Sequence, residues 1–123
     1  MAWRADSARV ADVAITDLVA EVMRRAGKAD LAATAAFSLD AGLDSGAITV
    51  AELARLYPYE NTLRTVRVTG AQLRAYLEHS ARYYRGPGEI DPQVPGYNFD
   101  VVQGADYVLD LARPDGARVT SLT

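Results

Sequence analysis

Two short stretches, Thr49-Val50-Ala51-Glu52 and Thr69-Gly70-Ala71-Gln72, place a hydroxyl three residues before a carboxylate or an amide. This is the pattern of a capping box. The hydroxyl and the longer side chain each satisfy a backbone N–H that the start of a helix leaves without a partner. Each stretch therefore predicts a helix start. After the first, Val50, Leu53, Ala54 and Leu56 supply an apolar face as far as Pro58, whose ring keeps the preceding residue out of the α region. After the second, Leu73, Tyr76, Leu77, Ala81 and Tyr84 form a stripe at helical spacing, which Gly86-Pro87-Gly88 interrupts. Between the two boxes, Leu63 to Val68 alternates, with Val66 and Val68 on one side and Thr65 and Arg67 on the other. That pattern predicts a half-buried strand.

The flanks extend the same mixture. Met1 to Val10 has no clear period and reads as a frayed lead-in to a domain beginning near residue 16. Thr16 can cap a helix whose face carries Leu18, Val19, Val22, Met23 and Ala26, with Gly27 as its stop. Leu31 to Ala36 is the length of a buried strand, and Phe37 to Gly46 is a loop. Three prolines and two glycines in the stretch to Gly96 predict no regular structure there. Tyr97, Phe99 and Val101 then share one face, as do Tyr107, Leu109 and Leu111, and Gln103-Gly104 between them predicts a hairpin. Pro114-Asp115-Gly116 is a turn, and Arg118 to Leu122 begins another strand. At 123 residues this is one domain. The expected class is α+β, a mixed β-sheet packed with about three helices.

Charge and residue inventory narrow the chemistry. A net charge of −3 gives no electrostatic footprint for a nucleic-acid polymer. No apolar run has the length of a membrane span. Cysteine is absent and His79 is the single histidine, which excludes thiolate chemistry and any metal site built from several imidazoles. His79 lies off the apolar stripe of its helix and has no identifiable nucleophile, so it reads as a structural or solvated residue. Asp40 and Asp44 share a loop in which they can make turns or hold a hard cation. Gly86-Pro87-Gly88 ends a helix instead of opening one and is no phosphate loop. The unusual feature is Leu56-Tyr57-Pro58-Tyr59-Glu60-Asn61-Thr62-Leu63. A phenol ring held beside proline can stack on a flat ligand and an amide can read a base edge, or both rings can pack into the core.

At this loop the chain resembles the C-terminal domain of the 5'-nucleotidase family, two-domain secreted or periplasmic enzymes. The resemblance runs from about Thr16 to the end. Its blocks are Gly46-Ala47-Ile48-Thr49, Tyr57-Pro58-Tyr59-Glu60-Asn61-Thr62-Leu63 and Val68-Thr69-Gly70-Ala71-Gln72-Leu73, then Tyr76-Leu77-Glu78-His79-Ser80, Tyr97-Asn98-Phe99-Asp100 and Gly116-Ala117-Arg118-Val119. It implies that Tyr59 stacks on a nucleobase and that Asn61 bonds to it, with Phe37 beside them. Tyr59, the stretch Ala33 to Phe37 and Tyr97 to Asp100 look most like the 2',3'-cyclic-nucleotide 2'-phosphodiesterase/3'-nucleotidase branch. Where many 5'-nucleotidases have an Asn and an Arg that hold substrate phosphate, this chain has Ala35 and Asp40, and an acid there repels a phosphate.

The resemblance also implies what lies outside the chain: an N-terminal metallophosphoesterase domain carrying a divalent metal pair, and a final stretch with a second stacking aromatic. The expected function is therefore that of a nucleotide-specificity domain belonging to a metal-dependent nucleotidase or cyclic phosphodiesterase, extracytoplasmic by resemblance. The chain alone is expected to hydrolyse no phosphoester and to hold no cofactor. The alternative is a divergent, non-catalytic member acting as a binding or scaffold module. A domain cut short after Arg118 to Leu122 is further expected to expose a sheet edge and to self-associate through it.

Overall fold

A computed structural model describes residues 2–123. In chain order it contains β1 (Trp3–Arg4), α1 (Ala14–Gly27), β2 (Ala32–Ala35), β3 (Gly42–Leu43), α2 (Val50–Leu56) and α3 (Gly70–Ala81). There follow β4 (Tyr84–Gly86), β5 (Glu89–Ile90), a 3-10 turn at Gly96–Asn98, β6 (Asp100–Gln103), β7 (Tyr107–Leu109) and β8 (Val119–Leu122). The fold is α+β with three α-helices among the described residues. The strands form four separate antiparallel pairs, β1–β3, β2–β6, β4–β5 and β7–β8, instead of one mixed sheet.

Both capping boxes are formed. The Thr49 hydroxyl accepts from the Glu52 N–H while Glu52 accepts from the Thr49 N–H at 2.7 Å. Thr69 and Gln72 repeat the arrangement, with the return bond at 2.8 Å. Replacing Thr69 by Ala is expected to cost about 1 kcal/mol in a chemical denaturation experiment, because the box at the head of α3 then loses one of its two bonds.

Helix α1 starts two residues before Thr16, at a Val13 cap with no side-chain bond, and the Thr16 hydroxyl donates to the Val13 carbonyl at 2.8 Å. Its end also departs from expectation. Lys28, not Gly27, takes the left-handed conformation (φ 48°), and its N–H bonds back to the carbonyls of Arg24 and Arg25. On its surface Glu21 accepts from Arg24 at 2.8 Å and from Arg25 at 2.5 Å. These bonds, Arg24 first, hold the Glu21 carboxyl down at about 2. The folded value lies below the ordinary one of 4.5. Its stabilisation is therefore complete above the ordinary value and is lost as pH falls through about 2. A side-chain carbonyl titration by NMR checks this expectation.

Other expectations are corrected by contacts that local pattern cannot show. Residues 3–8 of the lead-in are folded, Met1 lying outside the described residues: Ala5 and Ala8 are buried in a cluster with Ile15, Ala36, Ala41 and Leu43, and β1 pairs with β3. The stripe of α3 stops at Ala81 as a helix, and Tyr84 becomes the first residue of β4, turning through Pro87-Gly88 into β5. The proline-rich stretch thus contains a strand and a 3-10 turn. The predicted hairpin across Gln103-Gly104 does not form. Strand β6 pairs instead with β2, and β7 pairs with β8 across the Pro114-Asp115-Gly116 turn. Gly104 still turns the chain at φ +94°, in a place where a Cβ would collide with the Asp30 carbonyl oxygen.

The largest difference is at Leu63 to Val68, which is no strand: residues 62–68 make no backbone–backbone hydrogen bond among the described residues and all are exposed. Alternation provides a face, but a strand also needs a neighbour to bond, and none of the described residues supplies one.

Two further clusters complete the core. Leu77 packs with Val102 and Val119. Tyr83, Tyr84 and Phe99 form an aromatic group with ring centroids 4.9–5.4 Å apart.

Candidate functional site

The chain from the end of β2 to the start of α3 carries the expected site. Strand β2 delivers Phe37 just beyond its last residue, and α2 ends where Tyr57 leaves the helical region ahead of Pro58. Pro58 then fixes the direction in which Tyr59 leaves. The three rings meet edge to face: Phe37 to Tyr57 at 5.0 Å and 88°, and Phe37 to Tyr59 at 5.2 Å and 75°. These are favoured aromatic geometries, in which a ring edge meets the electron-rich face of its neighbour.

Phe37 and Tyr57 are half-buried, while Tyr59 is 52% exposed. One edge of the group is thus anchored while Tyr59 keeps accessible ring surface. Asn61 is exposed, and its side-chain amide donates to the Tyr57 hydroxyl at 3.3 Å. Its amide oxygen accepts no hydrogen bond from the described residues. The structure therefore brings Phe37, Tyr59 and Asn61 into one surface patch. It adds Tyr57, to which the sequence reading gave no role beyond flanking the proline. The signal for Tyr57 was its spacing: residues 57 and 61 are four apart, close enough for ring and amide to meet across a turn.

The remaining candidates lie elsewhere or act otherwise. His79 is exposed on α3. Asp44 is engaged by Arg4 at 2.5 Å, and Asp40 is exposed. No group of three or more carboxylates and imidazoles is placed to hold a metal ion among the described residues. The residues present do not fit a divalent metal pair. No described helix is long and apolar enough to cross a membrane. Ala35 is buried in β2 opposite Asp100. That position supplies no donor.

One polar arrangement was invisible in the sequence. Asp100, at the head of β6, accepts from the Tyr76 hydroxyl, and its backbone exchanges two bonds with Ser80, at 2.9 and 2.8 Å. Partial burial, then the bond to Asp100, raises the Tyr76 phenol above its ordinary value, so it stays protonated and keeps donating. These contacts seat α3 against β6.

Comparison with known proteins follows the same outline. The family described as "5'-nucleotidase, C-terminal domain" matches residues 3–123. A 2',3'-cyclic-nucleotide 2'-phosphodiesterase/3'-nucleotidase from Haemophilus influenzae is 37% identical over 84 residues, 58% of this chain and 12% of that protein. The snake venom 5'-nucleotidase of Gloydius brevicauda is 33% identical over 85 residues, 68% of this chain and 13% of its own length. Among solved structures, a Staphylococcus aureus protein assigned as a 5'-nucleotidase, crystallised with α-ketoglutarate, superposes with a TM-score of 0.80. It is 27% identical, over 95% of this chain and 24% of that one. The chain thus spans only a small part of each relative's length.

Proposed function

Because this chain belongs to the family of 5'-nucleotidase C-terminal domains, we propose that it is a nucleotide-specificity domain that stacks a nucleobase on Tyr59. The observation that carries the reading is the half-exposed Tyr59 ring propped by Phe37 at 5.2 Å, with the Asn61 amide in the same patch. A base lying on Tyr59 gains stacking, and Asn61, which has both donor and acceptor atoms, can bond its edge. Chemistry belongs to a metal-bearing phosphoesterase domain of a longer protein, acting outside the cytoplasm on linear or cyclic nucleotides. One histidine and no cysteine support the companion expectation that this chain alone hydrolyses no phosphoester. Metal-dependent cleavage of bis-p-nitrophenyl phosphate by purified chain, abolished by a substitution at Asp40 or His79, would overturn it.

One aromatic stack is worth roughly 1–3 kcal/mol, less than the cost of ordering a free ligand. A free nucleoside is therefore expected to bind with a Kd no tighter than about millimolar. Saturation-transfer NMR with adenosine and uridine tests this. Base protons should receive saturation from the intact chain, and the effect should fall at least tenfold in Tyr59→Ala. Equal transfer in both proteins would overturn the assignment of Tyr59.

A second reading is favoured by Ala35 and Asp40, which occupy the positions that the family resemblance gives to phosphate-holding Asn and Arg. It makes the domain a non-catalytic binding or scaffold module. It predicts that nucleoside monophosphates bind no better than nucleosides and that the longer protein has no nucleotidase activity.

A further inference from the structure

Contacts among Phe37, Tyr57, Tyr59 and Asn61 form a closed circuit. Phe37 meets the Tyr57 ring at 5.0 Å and the Tyr59 ring at 5.2 Å. The Tyr57 hydroxyl accepts from the Asn61 side-chain amide at 3.3 Å, and the Asn61 N–H donates to the Tyr59 carbonyl at 3.1 Å. Tyr57 thus joins the aromatic part of the site to its amide.

The place of Tyr57 is itself set by α2. Its N–H donates to the Leu53 carbonyl at 2.9 Å and closes the last turn of the helix, and its side chain is half-buried. Asn61 has no such support. It is exposed, and its side chain makes no other hydrogen bond among the described residues. Without Tyr57 that amide would rotate freely, and a ligand would have to order it at the expense of affinity.

A hydroxyl both donates and accepts, so it can hold an amide either way round. As the amide stands, Nδ2 donates to Tyr57, which leaves Oδ1 and the second Nδ2 hydrogen for a ligand. Turned over, Oδ1 accepts the Tyr57 proton and both Nδ2 hydrogens are left. The first arrangement matches a 6-amino purine, whose edge offers a donor beside the N7 acceptor. The second matches a 6-oxo purine, whose edge offers two acceptors. A backbone carbonyl or N–H in place of the hydroxyl would fix one orientation.

We propose that Tyr57 is a positioning residue for base recognition: its hydroxyl holds the Asn61 amide at the edge of a base stacked on Tyr59, either way round, so that 6-amino and 6-oxo purines both gain from it. This role rests on the reading of Tyr59 as the platform for the base.

The test is an NMR titration of the whole chain with adenosine, inosine and purine riboside, which differ at position 6: an amino group, an oxo group and a hydrogen. In the parent chain adenosine and inosine should each bind about threefold tighter than purine riboside, the net worth of a modest hydrogen bond. Tyr57→Phe keeps the ring beside Phe37 and removes the hydroxyl alone. Both advantages should disappear in it, while purine riboside keeps its affinity within twofold. Asn61→Ala should lose the same advantages, and Tyr57→Phe added to it should lose nothing more, because the hydroxyl acts through the amide. If Tyr57→Phe leaves both ratios in place, or weakens all three nucleosides equally, Tyr57 has no positioning role. An advantage confined to adenosine or to inosine in the parent overturns the two-way anchor. Tyr59→Ala tests the platform separately and should lose all three nucleosides. Purine riboside that binds the parent and Tyr59→Ala alike, or binds neither, overturns the platform itself.

Discussion

Replacing Arg118 by methionine is expected to destabilise the domain by about 3–5 kcal/mol, a large part of the stability of a chain this size. The side chain is 3% exposed. Its guanidinium donates to the carbonyls of Ala81 and Tyr84 at 2.7 and 2.6 Å, to Arg85 at 3.1 Å and to Arg113 at 3.2 Å. Asp115 completes the set at 2.9 Å. The end of α3, strand β4 and the β7–β8 turn are thereby tied to one planar group. Methionine fills much of the volume and supplies no donor, so carbonyls turned inward lose their partner. Lysine keeps the charge but not the fork, and is expected to recover less than half of the loss. Asp115→Asn, on a side chain 61% exposed, should cost under about 1 kcal/mol. Urea denaturation of the three variants gives the order. A loss below about 1 kcal/mol for methionine would show that water replaces the guanidinium without penalty.

Arg118 illustrates what a sequence conceals. Nothing near it announces burial, since its partners come from residues 81–85 and from a turn. Glu78 is similar: its carboxylate accepts from the N–H groups of Arg118 and Val119, at 3.0 and 2.7 Å, and so ties α3 to the start of β8. The capped starts of α2 and α3 were legible because donor and acceptor lie three residues apart. Strand partners were not. The turn signal at Gln103-Gly104 is genuine, yet β6 finds β2 far earlier in the chain, and the hairpin moves to β7–β8. The candidate site divides the same way. Ring and amide in the 57–61 loop could be seen as a ligand surface or as core, and only the family resemblance selected Tyr59. That Phe37 supports both tyrosines depends on how β2 and α2 pack, which no spacing encodes.

Leu77→Ala is expected to cost about 2–5 kcal/mol, whereas Val22→Ala should change the stability of the free chain by less than about 0.5 kcal/mol. Both residues stand on apolar helical stripes, and from periodicity they are equivalent. In the structure Leu77 is fully buried and packs with Val102 and Val119, so it joins α3 to β6 and β8. Removing its branched end leaves a cavity between three elements, each held by other bonds: Tyr76 and Ser80 to Asp100 on one side, Glu78 to β8 on the other. Such a frame resists collapse, and a cavity that cannot collapse retains its full cost. Val22 is 59% exposed on α1, and truncating it removes little that folding had buried. Thermal and urea unfolding of the two variants side by side separates a stripe that builds the core from one that is left exposed. Equal losses for the two variants would mean that the α1 stripe is covered in solution.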